Sequence, residues 1–581
     1  MIIPTSKQAR DNAICGITEV CQQSRRDREL LYLNRRRFLD YGTSDYTMEC
    51  KYNRLQAHID LVTSFLYSAD HCRYNFAAPR NSTDQIMAQM EALEDEWNTT
   101  FRDCGLANMY SDAVYWALAL EAMFIKVGWN NARDDLFGKL ILPGQFGVYD
   151  ETEPDLDSQE AFTHSYFLNW DNAVQRMKRA GLAAKIKSMR AYPGAMDEDF
   201  PPLLTSLIID SLGAAGPNLG AAMFGRASPD FQPRATYQAA TEGRMVRFTE
   251  VWVWDDSVDD YAQFVKVEGV DDVLSDSRET IRVMNKADPE RVAERYKGQS
   301  NLFGIEQEHP FIPVIPYRRP DYFWGECHSE KLIPLQVWTN ERLQQITDLL
   351  EQNVDPPKIG SGMMGTTDEK MDALGGPGTW ALEQLPGAKL ELLRPPVVPD
   401  LFVEFKEIGA IFLEASGLTE MLMGRGEQGV RGEKQAKKMM TTGSGRIRKV
   451  AVGLEESLVK LGEVGVKLIQ RNSTERMRTD TGEVLLPAQV AERRNRIRVA
   501  GHSHSPLFAD ESKDTAFALF KAQAIDREML VSMLNPPNRD AIIHRLRKRV
   551  QAEQQQKQQE LAAGIKPKAP GGGRGHPRVA A

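Results

Sequence analysis

Between Glu326 and Arg471 the chain reads as helix, short Pro/Gly-bounded insert, helix, Gly-rich loop and long helix, and any fold must accommodate that order. In the first helical stretch Leu332, Leu335, Leu343, Ile346 and Leu350 recur on one face of a 3.6-residue period. From Ser329 to Asn353 it would span roughly 37 Å at 1.5 Å per residue. Pro334 fits a helix only in its first turn, so the regular part is expected from about Ile333, and Pro356-Pro357 ends it. A second helix is expected from about Asp400 to Leu422. "MGRGEQGVRGEKQ" follows, a loop carrying Gly424, Gly426, Gly429 and Gly432, and then a helix of unusual length over about Glu433–Arg471.

This succession, together with the segment "HPFIPVIPYRRPDYFWGECHSEKLIPLQ" before it and "MLNPPNRDAIIHRLRKR" after it, resembles the core of tailed-bacteriophage portal proteins. Those proteins form the ring at one capsid vertex through which DNA is packaged and ejected. In that family two stem helices flank a small clip domain, and a tunnel loop leads into a long, often kinked helix. The resemblance covers about two thirds of the chain and rests on the order of elements, since no single motif in it is diagnostic. It implies an α+β, predominantly helical, elongated subunit with wing, stem, clip and crown parts. The wing would take residues 1–325, the first stem helix 326–353, the clip 354–399 and the second stem helix 400–422. The tunnel loop would take 423–432, the kinked helix 433–471, a wing hairpin 472–506, crown helices 507–550 and a disordered tail 551–581.

The resemblance also implies what the subunit does. A homo-oligomeric ring of about twelve copies would sit in the virion after assembly in the host cytoplasm. Its partners would be double-stranded DNA held without sequence preference, the terminase large subunit, the major capsid and scaffold proteins, and a head-to-tail adaptor. No enzymatic activity and no cofactor are implied.

Bulk properties fit a multi-part globular chain: 581 residues, 42% hydrophobic and 26% charged. No stretch approaches the roughly 20 consecutive apolar residues of a membrane-spanning helix, and the start has no charged region followed by an apolar core, so neither membrane nor signal-peptide export is expected. Cys15, Cys21, Cys50, Cys72, Cys104 and Cys327 lack paired spacing, which suits a reducing compartment. The formal net charge of −9 argues against a DNA-coating protein, because phosphate neutralisation supplies most non-specific affinity. A conduit is compatible with it, since a strongly attracting wall would brake sliding.

Against that acidic balance the segment Arg431–Lys449 reverses sign, with Arg431, Lys434, Lys437, Lys438, Arg446, Arg448 and Lys449 against Glu433 alone. Matched to the family, Arg425, Glu427, Gln428 and Arg431 would be tunnel-loop tip residues, and Lys434, Lys437 and Lys438 would make weak, exchangeable phosphate contacts in the channel. A solvated helix face, or pairing with acids of a neighbouring subunit, accounts equally for the charge. Gly443 and Gly445 predict a kink in the long helix, or two helices joined by a turn. Beyond them Ile447, Val450, Leu454, Leu458, Leu461, Val464 and Leu468 form a core stripe. In the insert, Trp380, Leu382 and Leu385 are candidates for clip interface anchors or for that small domain's own core.

Motifs for chemistry are scarce. "GRGEQG" follows a helix, so it lacks the strand that a dinucleotide fingerprint needs. No G-x-x-x-x-G-K-[ST] occurs, so an ATPase motor would be another chain. His502, His504 and the Cys327-His328 pair form no metal-ligand set, and neither a metal nor a catalytic residue is expected. The rival reading is a metal-dependent DNA-processing enzyme using Asp255, Asp256, Asp259 and Asp260, although a solvated acidic turn describes that run as well. Another head-assembly component, a minor capsid or scaffold protein, is the second rival. A scaffold would show sustained heptads, whereas this chain has nine tryptophans and none.

Elsewhere, residues 1–130 read mostly helical, with Met123–Trp129 able to switch to a strand. "RMVRFTEVWVWDD" alternates as a strand, with Phe248, Glu250, Trp252 and Trp254 on one side. The prolines of "HPFIPVIPYR" place it at a sheet edge, and Thr481-Gly482 reads as a hairpin turn.

Overall fold

The computed structural model describes residues 1–4, 6–41, 52–77, 83–130, 133–193, 244–287, 301–303, 305, 307–354, 358–363, 384–392, 400–416, 445–474, 476–478, 484–490, 496–499 and 515–534, with a few isolated positions up to 549. These residues mix helix and sheet, with helix in the majority.

A long N-terminal helix, α1 (Lys7–Tyr41), leads to α2 (Arg54–Leu66), β1 (Tyr74–Ala77), α3 (Asp84–Asp103) and α4 (Leu106–Leu120). Two antiparallel sheets then share one core. The smaller has β2 (Met123–Asn130) between β3 (Asp135–Ile141) and β10 (Phe311–Val314), so the proline-bearing strand does lie at an edge. The larger runs β4 (Phe146–Val148), β5 (Ala161–Asn169), β7 (Arg244–Asp255), β8 (Asp260–Val267) and β9 (Val273–Asp276), with β6 (Ala191–Pro193) also paired to β7. Helices α5 (Trp170–Arg179) and α6 (Ser277–Ala287) attach to this sheet.

Strand alternation sorts the side chains between layers. On β2, Met123, Ile125 and Val127 join the helical core, whereas Phe124 joins Phe146, Phe162, Trp252 and Phe311 between the sheets. Phe124 and Phe146 stack with centroids 4.1 Å apart. On β7, Trp252 faces the small sheet, while Val251 and Val253 face α1 with Ile14, Ile17 and Cys21. The strand is therefore covered on both sides, and Glu250 is enclosed. Lys126 meets it at 2.6 Å. Burial pushes the Glu250 carboxyl up, but the His164 ring, 3.8 Å away, and the Lys126 charge outweigh it and hold the group near 2.

Helix α1 lies so close to the sheet that a side chain at Gly147 would place its Cβ 2.1 Å from the Cys21 carbonyl oxygen. It is also pinned by arginines. Arg10 Nη1 reaches Asp276 at 3.0 Å and Glu279 at 2.7 Å, and Arg25 Nη1 donates to the Gly144 carbonyl at 3.1 Å. Arg28 and Arg35 converge on Glu121, at 2.5 and 2.9 Å. Glu121 itself turns the chain from α4 into β2 with φ at 98°.

The chain next forms α7 (Ile333–Val354), the ribbon β11 (Lys358–Met363) with β12 (Gln384–Leu392), and α8 (Asp400–Ser416). Helix α9 (Gly445–Asn472) then fills the helical core. All seven residues of its predicted stripe are buried, Leu458, Leu461 and Val464 completely. Two tyrosines seal it: Tyr74 Oη donates to the Leu458 carbonyl at 3.0 Å and Tyr110 Oη to that of Leu454 at 2.9 Å. Gly465 lets the Trp97 ring approach, since a Cβ there would lie 2.2 Å from it. Short strands β13 (Met477–Arg478) and β14 (Val484–Leu485) pair on either side of the expected turn, and β15 (Arg496–Val499) pairs with β1. The C-terminal α10 spans Arg527–Leu534.

Candidate functional site

Helices α7 and α8 form an antiparallel hairpin, outward along one and back along the other, with the β11/β12 ribbon spliced between them. At 1.5 Å per residue the 22 residues of α7 extend about 33 Å. Arg342 Nε and Glu404 Oε1 bridge the helices at 2.9 Å. Near the body both helices bury apolar residues: Leu332 and Ile346 on α7's side, Ile408 and Phe412 on α8. Leu350, Phe402, Val403 and Ile411 are nonetheless 52%, 53%, 54% and 43% exposed. The hairpin thus carries exposed apolar residues as well as buried ones, the pattern of a helix that expects cover.

Its base is held by polar contacts that sequence reasoning missed. Gln336 and Asn340 are fully buried. Gln336 Oε1 accepts from the backbone N–H groups of Arg54, at 2.9 Å, and Leu55, at 3.1 Å, while its Nε2 donates to the Tyr52 carbonyl at 2.7 Å. A side chain of α7 therefore satisfies backbone donors at the start of α2 that the helix leaves open. The Arg54 guanidinium lies 5.1 Å over the Tyr52 ring and 5.0 Å over Phe405 of α8. Gly409 gives it room, because a Cβ there would sit 2.4 Å from Arg54 Nη1.

One turn further along α2, His58 Nε2 lies 2.8 Å from His328 Nε2. His58 meets the edge of Phe412 and His328 stacks flat on Tyr317, with centroids 6.0 and 5.2 Å apart. Burial lowers the His58 pKa to about 3, aided by His328, and lowers that of His328 to about 4, aided by Lys331. Both rings are neutral near pH 7. Buried His58 Nδ1 has no hydrogen-bond partner; a bare acceptor costs less there than an unpaired N–H, which assigns the shared proton to His58 Nε2 as donor and His328 Nε2 as acceptor.

Most sequence-predicted site residues fall outside the described residues: Gly424, Arg425, Gly426, Glu427, Gln428, Gly429, Arg431, Gly432, Lys434, Lys437, Lys438, Gly443, Trp380 and Leu382. Gly445 is the first residue of α9 and faces open space. Leu385 belongs to β12. Of the basic segment, Lys449 is exposed and Arg448 half-buried on α9.

The acidic run 255–260 is a solvated turn only at its centre. Residues 256–259 form an exposed turn, whereas Asp255 and Asp260 are buried at the ends of β7 and β8. Arg278 Nη1 pairs with Asp255 at 2.7 Å, while Asn301 and the Gln307 backbone N–H donate to Asp260 at 3.2 and 2.9 Å. These carboxylates close the β7–β8 hairpin. Among the described residues no group of three or more His, Cys, Asp and Glu side chains is placed to hold a metal ion, and no helix is long and apolar enough to cross a membrane.

No protein-family model matches the chain, and no curated protein is similar enough to stand as its relative. The hairpin and its polar base therefore carry the functional argument on their own geometry. The hairpin is thus anchored by buried hydrogen bonds at its base and bears exposed apolar side chains along its length.

Proposed function

We propose that this chain is a portal-type subunit: copies assemble into a ring at a capsid vertex, forming a channel for DNA and a platform for the packaging motor and a head-to-tail adaptor. The observation that carries the reading is the α7/α8 hairpin with Leu350, Phe402, Val403 and Ile411 uncovered. Four large exposed apolar side chains on one element are what a subunit interface desolvates. A closed ring needs two different complementary faces on every subunit, and the resemblance in element order supplies the identity of the assembly. In this reading residues 423–432 form the tunnel loop, the basic run onward from Arg431 meets phosphate, and the insert containing Trp380, Leu382 and Leu385 docks the motor.

Native mass spectrometry combined with negative-stain microscopy of the full chain tests it. A ring with a central hole and about twelve copies is expected. A monomer or dimer across low and high salt would overturn the assignment.

A further inference from the structure

We propose that the His58–His328 contact is an acid-released latch fixing the α7/α8 hairpin to the body of the subunit. His58 belongs to α2 and His328 to the turn that opens α7, while Phe412, against the His58 ring, belongs to α8. One pair of rings therefore joins the body to both arms of the hairpin. The latch does not depend on what the hairpin assembles into.

The groups facing the pair show why a proton would open it. From α2, Arg54 is one turn away and its guanidinium is turned to Tyr52 and Phe405. From the segment leading into α7, Tyr317 covers His328, and the charged neighbours are Lys331 and Glu326, which are paired with each other at 2.8 Å. From α8 the Phe412 ring faces the pair. The Glu326 carboxylate, which would favour an imidazolium at His328, is already engaged by Lys331. A proton on His328 Nε2 would set two N–H groups head to head, and a proton on His58 Nδ1 would be a buried cation against Phe412.

The sign follows from linkage. Both folded-state values lie below the ordinary 6.5, so the closed latch is fully stable above about pH 6.5 and weakens as pH falls towards 4. If opening hydrates the rings, each histidine favours the open hairpin by on the order of 30-fold at pH 5 relative to pH 8, and the pair by about 1,000-fold.

Two measurements on the full chain test the latch. Histidine C2-hydrogen exchange read by mass spectrometry from pH 3.5 to 8 should show both rings titrating below pH 5; either ring titrating near 6.5 would overturn the proposal. Amide exchange in α7 and α8 should show the opening equilibrium rising about 1,000-fold from pH 8 to 5 in the wild type. The rise should shrink to about 30-fold in His58→Gln or His328→Gln, and vanish in the double variant. A double variant that opens with acid as the wild type does would sink it. Should the variants fail to fold, the wild-type ring titration decides alone.

Discussion

Helices α1 and α9 are both long and both essential to the layers they cover, yet they are held in opposite ways. Helix α9 is seated by a continuous apolar stripe, with Leu458, Leu461 and Val464 wholly buried and two tyrosine hydroxyls closing over its carbonyls. Helix α1 buries Ile14, Ile17 and Cys21 near its start and Tyr32 and Leu39 near its end, but its ties to distant elements include the ion pairs of Arg10, Arg28 and Arg35. The apolar attachment tolerates small shifts, because dispersion and area burial are non-directional. The ionic one demands that each carboxylate arrive where its arginine is, and leaves a costly buried charge when one does not.

That contrast is broken most severely at Glu121, which alone receives both Arg28 and Arg35. Glu121→Ala should cost about 4 kcal/mol, within the range for removing one partner of a buried pair. Leu458→Ala, which deletes packing in the α9 stripe, should cost about 3 kcal/mol. Denaturant unfolding of both variants measures the difference. A loss at Glu121 below about 1 kcal/mol would mean that α1 is held by its apolar contacts after all.

Acid sharpens the same distinction. The Glu250 carboxyl, held near 2 against an ordinary 4.5, contributes stability that is complete above pH 4.5 and lost as pH falls towards 2. The loss should be on the order of 2 kcal/mol, and Glu250→Gln should flatten that limb of the stability–pH curve while lowering stability at pH 7. A curve from pH 4.5 to 2 that is unchanged by the substitution would show that Lys126 and His164 do not depress this carboxyl. The apolar α9 stripe should contribute no such limb.

What could be read in the sequence follows the same division. The α9 stripe was legible because burial writes a 3.6-residue period into the chain, and the start of α7 near Ile333 and the strand at Met123 were legible for similar local reasons. Ionic attachment leaves no period. Arg28 and Glu121 are 93 positions apart, and His58 and His328 are 270 apart, so nothing local announces either pair. Asp255 and Asp260 were misread for this reason: six residues rich in acid look solvated until Arg278 and Asn301 arrive from elsewhere. Gln336 and Asn340 carry no local signal either, because only the placement of α2 makes them buried caps. Of the hairpin, α7 was legible from its apolar spacing and the start of α8 from its place after the insert, whereas the expected loop and most of the expected insert residues lie outside the described residues.

The smallest expected effect on stability is the most informative about function. The α9 stripe and part of α8 are both apolar, but the stripe is buried whereas Phe402 and Val403 of α8 are more than half exposed. Changing Phe402 and Val403 together to Gln keeps strong helix propensity at two side chains that are more than half exposed. Unfolding of the dissociated chain should move by no more than about 0.5 kcal/mol, whereas assembly, read by native mass spectrometry, should be lost or shifted to far higher concentration. A variant that unfolds early would instead place these residues in the subunit's own core, and one that assembles as the wild type does would take away the interface on which the ring reading rests. Equal stability with lost assembly is the outcome that separates a surface kept apolar for a neighbour from one left apolar by chance.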